Sequence, residues 1–211
     1  MTTLNARNLT LDEVERLLNL QAQYDGTFTP FLSVESVSEV EQQELVQIRN
    51  DFLPYLKAGK ALEGQVRLVA VAPLLRLAGF YRAPILLQVE EDIARINIED
   101  EDTTITGRFD ILAVNKGQMT SAKIPFWILI IETKRGTVDP IAGLPQLLTY
   151  ACESLERQEA VWGLATNGVS YRFVYIQTGN PSTYQYMPLL NLLETESAIK
   201  LLQVLKAICK L

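Results

Sequence analysis

The chain has 211 residues, of which 48% are hydrophobic, and a formal net charge of −6. These values predict one globular domain, residues 1–211, with a single core. The absence of histidine excludes catalytic triads with a histidine base and any histidine-ligated zinc or haem site. Acid–base or metal chemistry must therefore come from carboxylates, lysine or tyrosine, and oxygen ligands favour Mg²⁺ or Mn²⁺ over zinc.

The charge and the cysteines bear on location and partners. The acidic excess weakens the case for a nucleic-acid partner, because non-specific affinity depends on Lys and Arg, although acids and bases nearly balance over residues 107–172. The sequence has no apolar run near the roughly 20 residues of a membrane span, and residues 1–10 lack a signal-peptide core. Cys152 and Cys209 form no disulfide or zinc pattern. We therefore expect a cytoplasmic protein without a membrane partner.

The first 59 residues predict a helical extension. Residues 9–20 have apolar side chains at helical spacing, and Ser38 with Glu41 has the capping-box pattern that begins a helix of about 18 residues. A further helix over residues 61–77, with an interior disturbed by Pro73, begins the predicted core of residues 60–177.

The apolar periodicity then changes to that of β-strands. Four segments have this character: residues 85–89, 94–98, 105–114 and 126–131. They are followed by a predicted helix and two strands, over residues 144–158, 161–166 and 170–176. Asn167-Gly168 predicts a two-residue hairpin turn between the last two strands. Residues 178–211 predict a C-terminal helix, over about residues 196–210. This order predicts an α/β fold with a mixed sheet flanked by helices.

Charged residues stand in two of these apolar strands. Glu132 and Lys134 end the segment that contains residues 126–131, and because side chains alternate along a strand, both point to the same face. Asp110 lies in the strand predicted over residues 105–114. If the two strands pair, two carboxylates and an ammonium meet above the sheet. Two carboxylates can hold a hard divalent cation, and the ammonium can orient or activate a water, so the pattern predicts metal-assisted hydrolysis.

This arrangement resembles the PD-(D/E)XK nuclease superfamily, which contains many restriction and repair nucleases. The acidic residue of the family's second core strand matches Asp110, and its (Asp/Glu)-x-Lys element matches Glu132-Thr133-Lys134. Phe109 stands where the family pattern begins with Pro. The resemblance covers residues 60–177 and implies a restriction-endonuclease-like fold.

Two further features resemble the RecB-like nucleases and the N-terminal nuclease domains of type I restriction enzyme R subunits. Gln146 and Tyr150 match their Gln-x-x-x-Tyr motif and share one helix face. Glu63 matches the Glu of their first core helix, and Ala165-Thr166-Asn167-Gly168 is similar to a segment of the restriction group. The sequence has no Gly-rich phosphate loop, so it gives no support for ATP-driven translocation.

The resemblance implies a Mg²⁺-dependent (or Mn²⁺-dependent) endonuclease that acts on DNA. The implied metal ligands are the side chains of Asp110 and Glu132, the backbone carbonyl of Thr133 and, as a further ligand, Glu63. The resemblance also implies that Lys134 positions or deprotonates the attacking water. Gln146 and Tyr150 would hold Lys134 or the DNA backbone, and Arg108 and Arg135 would contact phosphates.

Alternatives stay open at this point. Glu132 and Lys134 also suit a solvated ion pair, and Gln146 and Tyr150 suit a packed helix face. The acidic charge and the missing motor favour a non-catalytic binding or assembly module that keeps the nuclease fold beside partner subunits of a restriction system. A hydrolase of small phosphoesters is a third interpretation. The sequence does not distinguish DNA from RNA, and it leaves open whether the chain forms a homo-oligomer.

Overall fold

A computed structural model describes residues 2–93, 95–98, 102–120 and 124–211. It is a mixed α/β structure, as the sequence predicts, with a large mixed sheet of eight strands and a second sheet of three strands among the described residues. The helices are α1 (Leu11–Leu17), α2 (Glu39–Lys57), α3 (Glu63–Gln65), α4 (Ala72–Ala78), α5 (Leu144–Leu155) and α6 (Thr195–Ile208). None of the helices in the described part of the chain is long and apolar enough to cross a membrane.

The strands of the large sheet run in the order β2, β10, β9, β8, β7, β6, β3, and β11 pairs with β9. The second sheet has the order β1, β5, β4. The strands are β1 (Thr2–Asn5), β2 (Leu20–Gln23), β3 (Ile85–Val89), β4 (Ile96–Ile98), β5 (Thr103–Thr106), β6 (Ile111–Met119), β7 (Pro125–Thr133), β8 (Ala160–Thr166), β9 (Ser170–Gln177), β10 (Ser182–Tyr186) and β11 (Leu190–Asn191).

Both faces of the large sheet are covered. Ile111 and Ile131 pack with α2, α4 and α6 on one face, whereas Leu112 and Ile130 pack with α1 and α5 on the other. β7 and the first part of β6, residues 111–115, are therefore buried on both sides, which explains why β7 and residues 111–114 are nearly continuous apolar runs rather than alternating ones. The second part of β6, from Lys116 to Met119, is exposed.

Local signals place several helices correctly. The capping box at Ser38 and Glu41 begins α2, with Glu41 accepting a hydrogen bond of 2.8 Å from the Ser38 backbone N–H. The segment before Pro73 is disturbed, as predicted. Val66–Val71 forms a π-helical segment between α3 and α4, and the Ala72 N–H donates to the carbonyl of Arg67, five residues back.

The N-terminal extension is not purely helical, which corrects the prediction for residues 1–59. Its strand β2 pairs in parallel with β10 at the edge of the large sheet, and β1 pairs in parallel with β5. Residues 178–211 likewise contain β10 and β11 as well as α6. Four-residue strands carry little periodic signal, and their partners lie far away in the sequence.

The single strand predicted over residues 105–114 is also wrong. It is divided between β5, in the small sheet, and β6, in the large one, and Arg108 between them forms an isolated bridge with Asp92. The predicted strand over residues 94–98 is shorter in the structure, where β4 begins at Ile96, and Ala94 lies outside the described residues.

The predicted hairpin between β8 and β9 is confirmed, but its tip is one residue further along. Thr166 pairs with Tyr171, so Gly168 and Val169 occupy the tip. Asn167 instead accepts hydrogen bonds from the backbone N–H groups of Val169 and Ser170 at 3.0 and 2.8 Å. Gly168 has a φ of 84°, a conformation that glycine adopts without steric cost.

We predict that Gly168→Ala destabilises the protein. The new methyl group would lie 2.5 Å from Cζ of Phe52, and together the strained backbone and the overpacking should lower the free energy of unfolding by about 2–4 kcal/mol in urea denaturation. The control is Gly64→Ala, whose methyl group meets nothing within 4 Å and which should be neutral or slightly stabilising. Equal effects of the two substitutions would contradict this account of the hairpin.

Candidate active site

Asp110 and Glu132 lie at the same end of the antiparallel pair β6 and β7. Ile111 is opposite Ile131 in the register, Asp110 directly precedes β6, and Glu132 is the penultimate residue of β7. Both side chains are buried, with exposed fractions of 7% and 2%. Two buried carboxylates at one strand end need specific partners, because burial strongly disfavours unpaired charge.

The carboxylate of Asp110 is bound to the neighbouring strand. Its Oδ2 accepts hydrogen bonds from the backbone N–H of Thr133 at 2.7 Å and from the Thr133 hydroxyl at 2.5 Å. Its Oδ1 accepts a longer hydrogen bond from Nη1 of Arg67, at 3.4 Å. Asp110 therefore links the start of β6 to the end of β7 and to the π-helical segment.

Glu132 has only one satisfied oxygen. Its Oε1 accepts a hydrogen bond of 2.8 Å from Nζ of Lys134, whereas its buried Oε2 has no hydrogen-bond partner in the described part of the chain. Burial and, secondarily, the negative charge of Asp110 raise the pKa of Glu132 to about 8, and the charge of Lys134 opposes this change only in part. The two carboxylates are thus close enough to repel each other.

A chain of hydrogen bonds places Lys134. Its Nζ also donates to Oε1 of Gln146 at 2.6 Å, and Nε2 of Gln146 donates to the hydroxyl of Tyr150 at 3.2 Å. Burial raises the pKa of Tyr150 to about 12, so it is a neutral phenol. The structure therefore brings together Lys134, Gln146 and Tyr150, which sequence reasoning assigned to one site.

Two glycines allow these side chains to pack closely. A Cβ atom on Gly143 would lie 3.0 Å from Cγ of Glu132 and 3.3 Å from Cε of Lys134. A Cβ atom on Gly107 would lie 2.7 Å from Cε1 of Tyr150. Neither glycine was singled out from the sequence, because its role depends on contacts with distant segments.

Sequence reasoning also missed Arg67 and Glu90. Nη1 of Arg67 lies 2.6 Å from Oε1 of Glu90 and 3.4 Å from Oδ1 of Asp110. The Glu90 backbone N–H also donates to the Asp110 carbonyl at 3.1 Å. One available signal is that Arg67 follows Glu63 by four residues, about one helical turn. The structure adds that Arg67 lies in a π-helical segment, a feature often found at functional sites.

The remaining predicted residues lie around this cluster. Glu63 is the first residue of α3 and is partly exposed. No group of three or more Asp, Glu, Cys or His side chains in the described ranges is arranged to hold a metal, so Glu63 does not join Asp110 and Glu132 in one preformed cluster. Arg135 is exposed in the loop after β7.

Arg108 lines a cleft of about 570 Å³ together with Arg7, Arg95 and Asp92. Gly107, which approaches Tyr150, also lines this cleft. The positive charge of Arg7 lowers the pKa of Glu132 slightly, against the larger effect of burial. Three arginines in one cleft beside the carboxylates form a locally basic surface on a chain whose net charge is −6. Arginine is the side chain best suited to bind phosphates through two hydrogen bonds.

The donor atoms fit a hard divalent cation. Oε2 of Glu132 is a buried carboxylate oxygen without a hydrogen-bond donor in the described part of the chain. A cation beside it would replace the missing donor and would reduce the repulsion between Glu132 and Asp110. Oxygen is the ligand atom that Mg²⁺ and Mn²⁺ prefer. Asp110 and Glu132 could therefore hold such an ion, provided that Asp110 gives up its contact with Arg67.

Comparisons with known proteins assign no family to the chain. No protein-family model matches it, and no curated protein matches its sequence. Function must therefore be inferred from the residues of the site and their geometry.

The raised pKa of Glu132 predicts a pH-dependent stability of the metal-free protein. The folded-state pKa of about 8 lies above the ordinary value of 4.5. The protonated Glu132 side chain therefore makes its full contribution to the free energy of unfolding below pH 4.5, and this contribution is lost as the pH rises through 8. The glutamine side chain of Glu132→Gln would be neutral at every pH. Between pH 4.5 and 8, the free energy of unfolding of Glu132→Gln should therefore fall by about 2–4 kcal/mol less than that of the parent protein.

The measurement is urea unfolding at several pH values with a chelator present. Glu196→Gln, a change at an exposed carboxylate in the first turn of α6, is the matched control and should follow the parent protein. A parent protein and Glu132→Gln with parallel pH profiles would show that Glu132 is ionised in the folded state across this range.

Proposed function

We propose that this protein is a Mg²⁺- or Mn²⁺-dependent phosphodiesterase that cleaves DNA, with a restriction-endonuclease-like core of the PD-(D/E)XK type. The observation that supports this function best is the meeting of Asp110, Glu132 and Lys134 at one strand end, with Oε2 of Glu132 buried and lacking a partner. Leaving a buried acceptor unsatisfied costs free energy. Such a cost is expected where a site is arranged for a ligand rather than for stability alone.

Asp110, Glu132 and the backbone carbonyl of Thr133 would hold the cation. When bound, the ion would neutralise charge on the scissile phosphate and the leaving oxygen and would make a coordinated water more acidic. The pair of strands is a suitable support because β7 and residues 111–115 of β6, the part of β6 next to the site, are buried on both faces. Rigid strands hold ligands more accurately than loops do.

Lys134 has a distinct role in this proposal. An ammonium group has three N–H donors, and two of those on Lys134 are directed to Oε1 of Glu132 and Oε1 of Gln146. The third can donate to the attacking water or to a phosphate oxygen. The water oxygen then forms the new P–O bond, its proton passes to solvent, and the P–O bond to the leaving oxygen breaks as that oxygen is protonated.

The basic cleft supports a polyanionic substrate. Arg108 lies there with Arg7 and Arg95, and exposed Arg135 follows Lys134 directly. A nucleic-acid backbone would place several phosphates across such a surface, whereas a small phosphoester needs only one. The acidic surface elsewhere predicts weak binding that is strongest at low salt.

One observation favours the second candidate, a non-catalytic binding or assembly module. Both oxygens of Asp110 already accept hydrogen bonds from protein groups, Thr133 and Arg67. A structural role for Asp110 would explain these contacts without a metal. The two candidates therefore differ in metal binding and in cleavage of nucleic acid.

Isothermal titration with Mn²⁺ or Mg²⁺ should detect one site of micromolar to millimolar affinity in the parent protein. Asp110→Ala should weaken it by at least about tenfold, because it removes a charged oxygen ligand. Asp51→Ala, at an exposed helix position where Asp51 accepts a hydrogen bond from Gln47, is the control and should bind like the parent. If Asp110→Ala leaves the titration unchanged, any metal site lies elsewhere.

Lys134→Ala should abolish cleavage of a long DNA substrate while it keeps the fold and most of the metal affinity. Lys134→Arg should not restore cleavage, because a guanidinium is larger and planar and cannot direct its N–H groups to Glu132, Gln146 and the attacking water as the compact ammonium does. The measurement is nicking of supercoiled DNA at low salt with Mn²⁺ or Mg²⁺ present. A parent protein that binds metal but cleaves neither DNA nor RNA would favour the assembly module, and full activity of Lys134→Ala would overturn the assigned role.

A further inference from the structure

We propose that Arg67 is the counter-ion that Asp110 exchanges for the divalent cation, and that Glu90 sets how readily this exchange occurs. The inference rests on the proposed function, because it assumes that Asp110 is a metal ligand. It assigns a regulatory and positioning role to two residues outside the Asp110, Glu132 and Lys134 cluster.

The two oxygen atoms of Asp110 are not equally accessible to a cation. Oδ2 is committed to Thr133 by two short hydrogen bonds, of 2.7 and 2.5 Å. Oδ1 is therefore the atom that a cation would approach most easily, and Arg67 donates to that atom at 3.4 Å. A guanidinium and a divalent cation repel each other, and both cannot be close to Oδ1. Metal binding at Asp110 thus requires Arg67 to withdraw.

Arg67 can withdraw to Glu90, which is already its nearer partner. Its Nη1 is nearer to Glu90, at 2.6 Å, than to Asp110, at 3.4 Å. Glu90 is half exposed, whereas Asp110 is buried. The stronger contact of Arg67 is therefore already with the surface carboxylate, so only its longer contact has to be broken. Glu90 also lies 3.7 Å from Nη2 of Arg108, and it can hold either cation.

The two carboxylates act on Arg67 in opposite ways. Asp110 keeps the guanidinium in the metal site, and Glu90 keeps it beside the site. Loss of Arg67 should therefore favour the cation, because Asp110 is left with an uncompensated charge. Loss of the Glu90 charge should disfavour the cation, because Asp110 becomes the only carboxylate bound to Arg67.

A purely structural role would give a different result. Arg67 joins the π-helical segment to the loop after β3, and if this were its whole function, removal of either partner would lower thermal stability alike. Metal affinity would then not change in opposite directions. If Arg67 instead held Asp110 in a geometry that favours metal binding, its removal would weaken binding.

The experiment is calorimetric titration of Mn²⁺ into the full chain, without DNA. Arg67→Gln should bind Mn²⁺ about three- to tenfold more tightly than the parent, and Glu90→Gln about two- to fivefold more weakly. Arg76→Gln is the matched control, because Arg76 is 62% exposed and pairs with Glu44 at 3.4 Å on the protein surface. It should bind like the parent. Thermal unfolding of each variant without metal confirms that it is folded.

The outcomes separate the two proposals. If neither the parent nor any variant binds Mn²⁺, or if Asp110→Ala binds like the parent, the proposed metal site fails and this inference fails with it. If the parent binds through Asp110 but Arg67→Gln binds equally or more weakly, the exchange alone is overturned. Glu90→Gln changes only a surface carboxylate and provides a second test if Arg67→Gln does not fold. Tighter binding by Glu90→Gln would also overturn the exchange.

Discussion

The carboxylate of Glu132 is held out of water at the end of an interior strand, with one oxygen bonded to Lys134 and the other without a donor. Burying a carboxylate with one unpaired oxygen lowers the stability of the folded state unless a positive charge compensates it. The surroundings are arranged around that group: Lys134 is oriented by Gln146 on its far side, and Gly143 leaves the space in which the carboxylate lies. The unpaired Oε2 of Glu132 therefore lowers the stability of the protein, and under the proposed function the same atom is available to bind the metal.

The sheet topology explains how distant residues reach this carboxylate. β7 pairs in parallel with β8, and a parallel connection needs a crossover, which here is α5. That helix covers the face to which Glu132 points, and it supplies Gln146 and Tyr150. On the other face, the π-helical segment supplies Arg67, which reaches Asp110 at the edge of β6. The end of the strand pair is thus enclosed by two helical elements, each with its own polar network.

When Glu132 is ionised, the charges of these networks balance. The carboxylates of Glu90, Asp110 and Glu132 are matched by the cations of Arg67, Arg108 and Lys134, although the chain as a whole carries a charge of −6. A divalent cation would make this region positive, which suits an approaching phosphate. Under the proposed function, metal binding would therefore come before substrate binding, and the acidic surface elsewhere would limit binding of nucleic acid to other parts of the protein.

The sequence by itself determined the α/β class and most of the elements of the predicted core, because apolar periodicity is a local property. It also singled out Asp110, Glu132 and Lys134 as charged residues in apolar strands, whereas Gln146 and Tyr150 were added only by the resemblance to a nuclease family. Only the tertiary structure decided the rest. Arg67 contacts residues 23 and 43 positions away, and such contacts leave no local pattern. The change of sheet between β5 and β6 was hidden because the alternation of apolar and polar residues, with Ile105, Phe109 and Ile111 apolar, continues across Gly107. The N-terminal strands are too short to be recognised without their partners, since a strand is stabilised by pairing rather than by its own sequence.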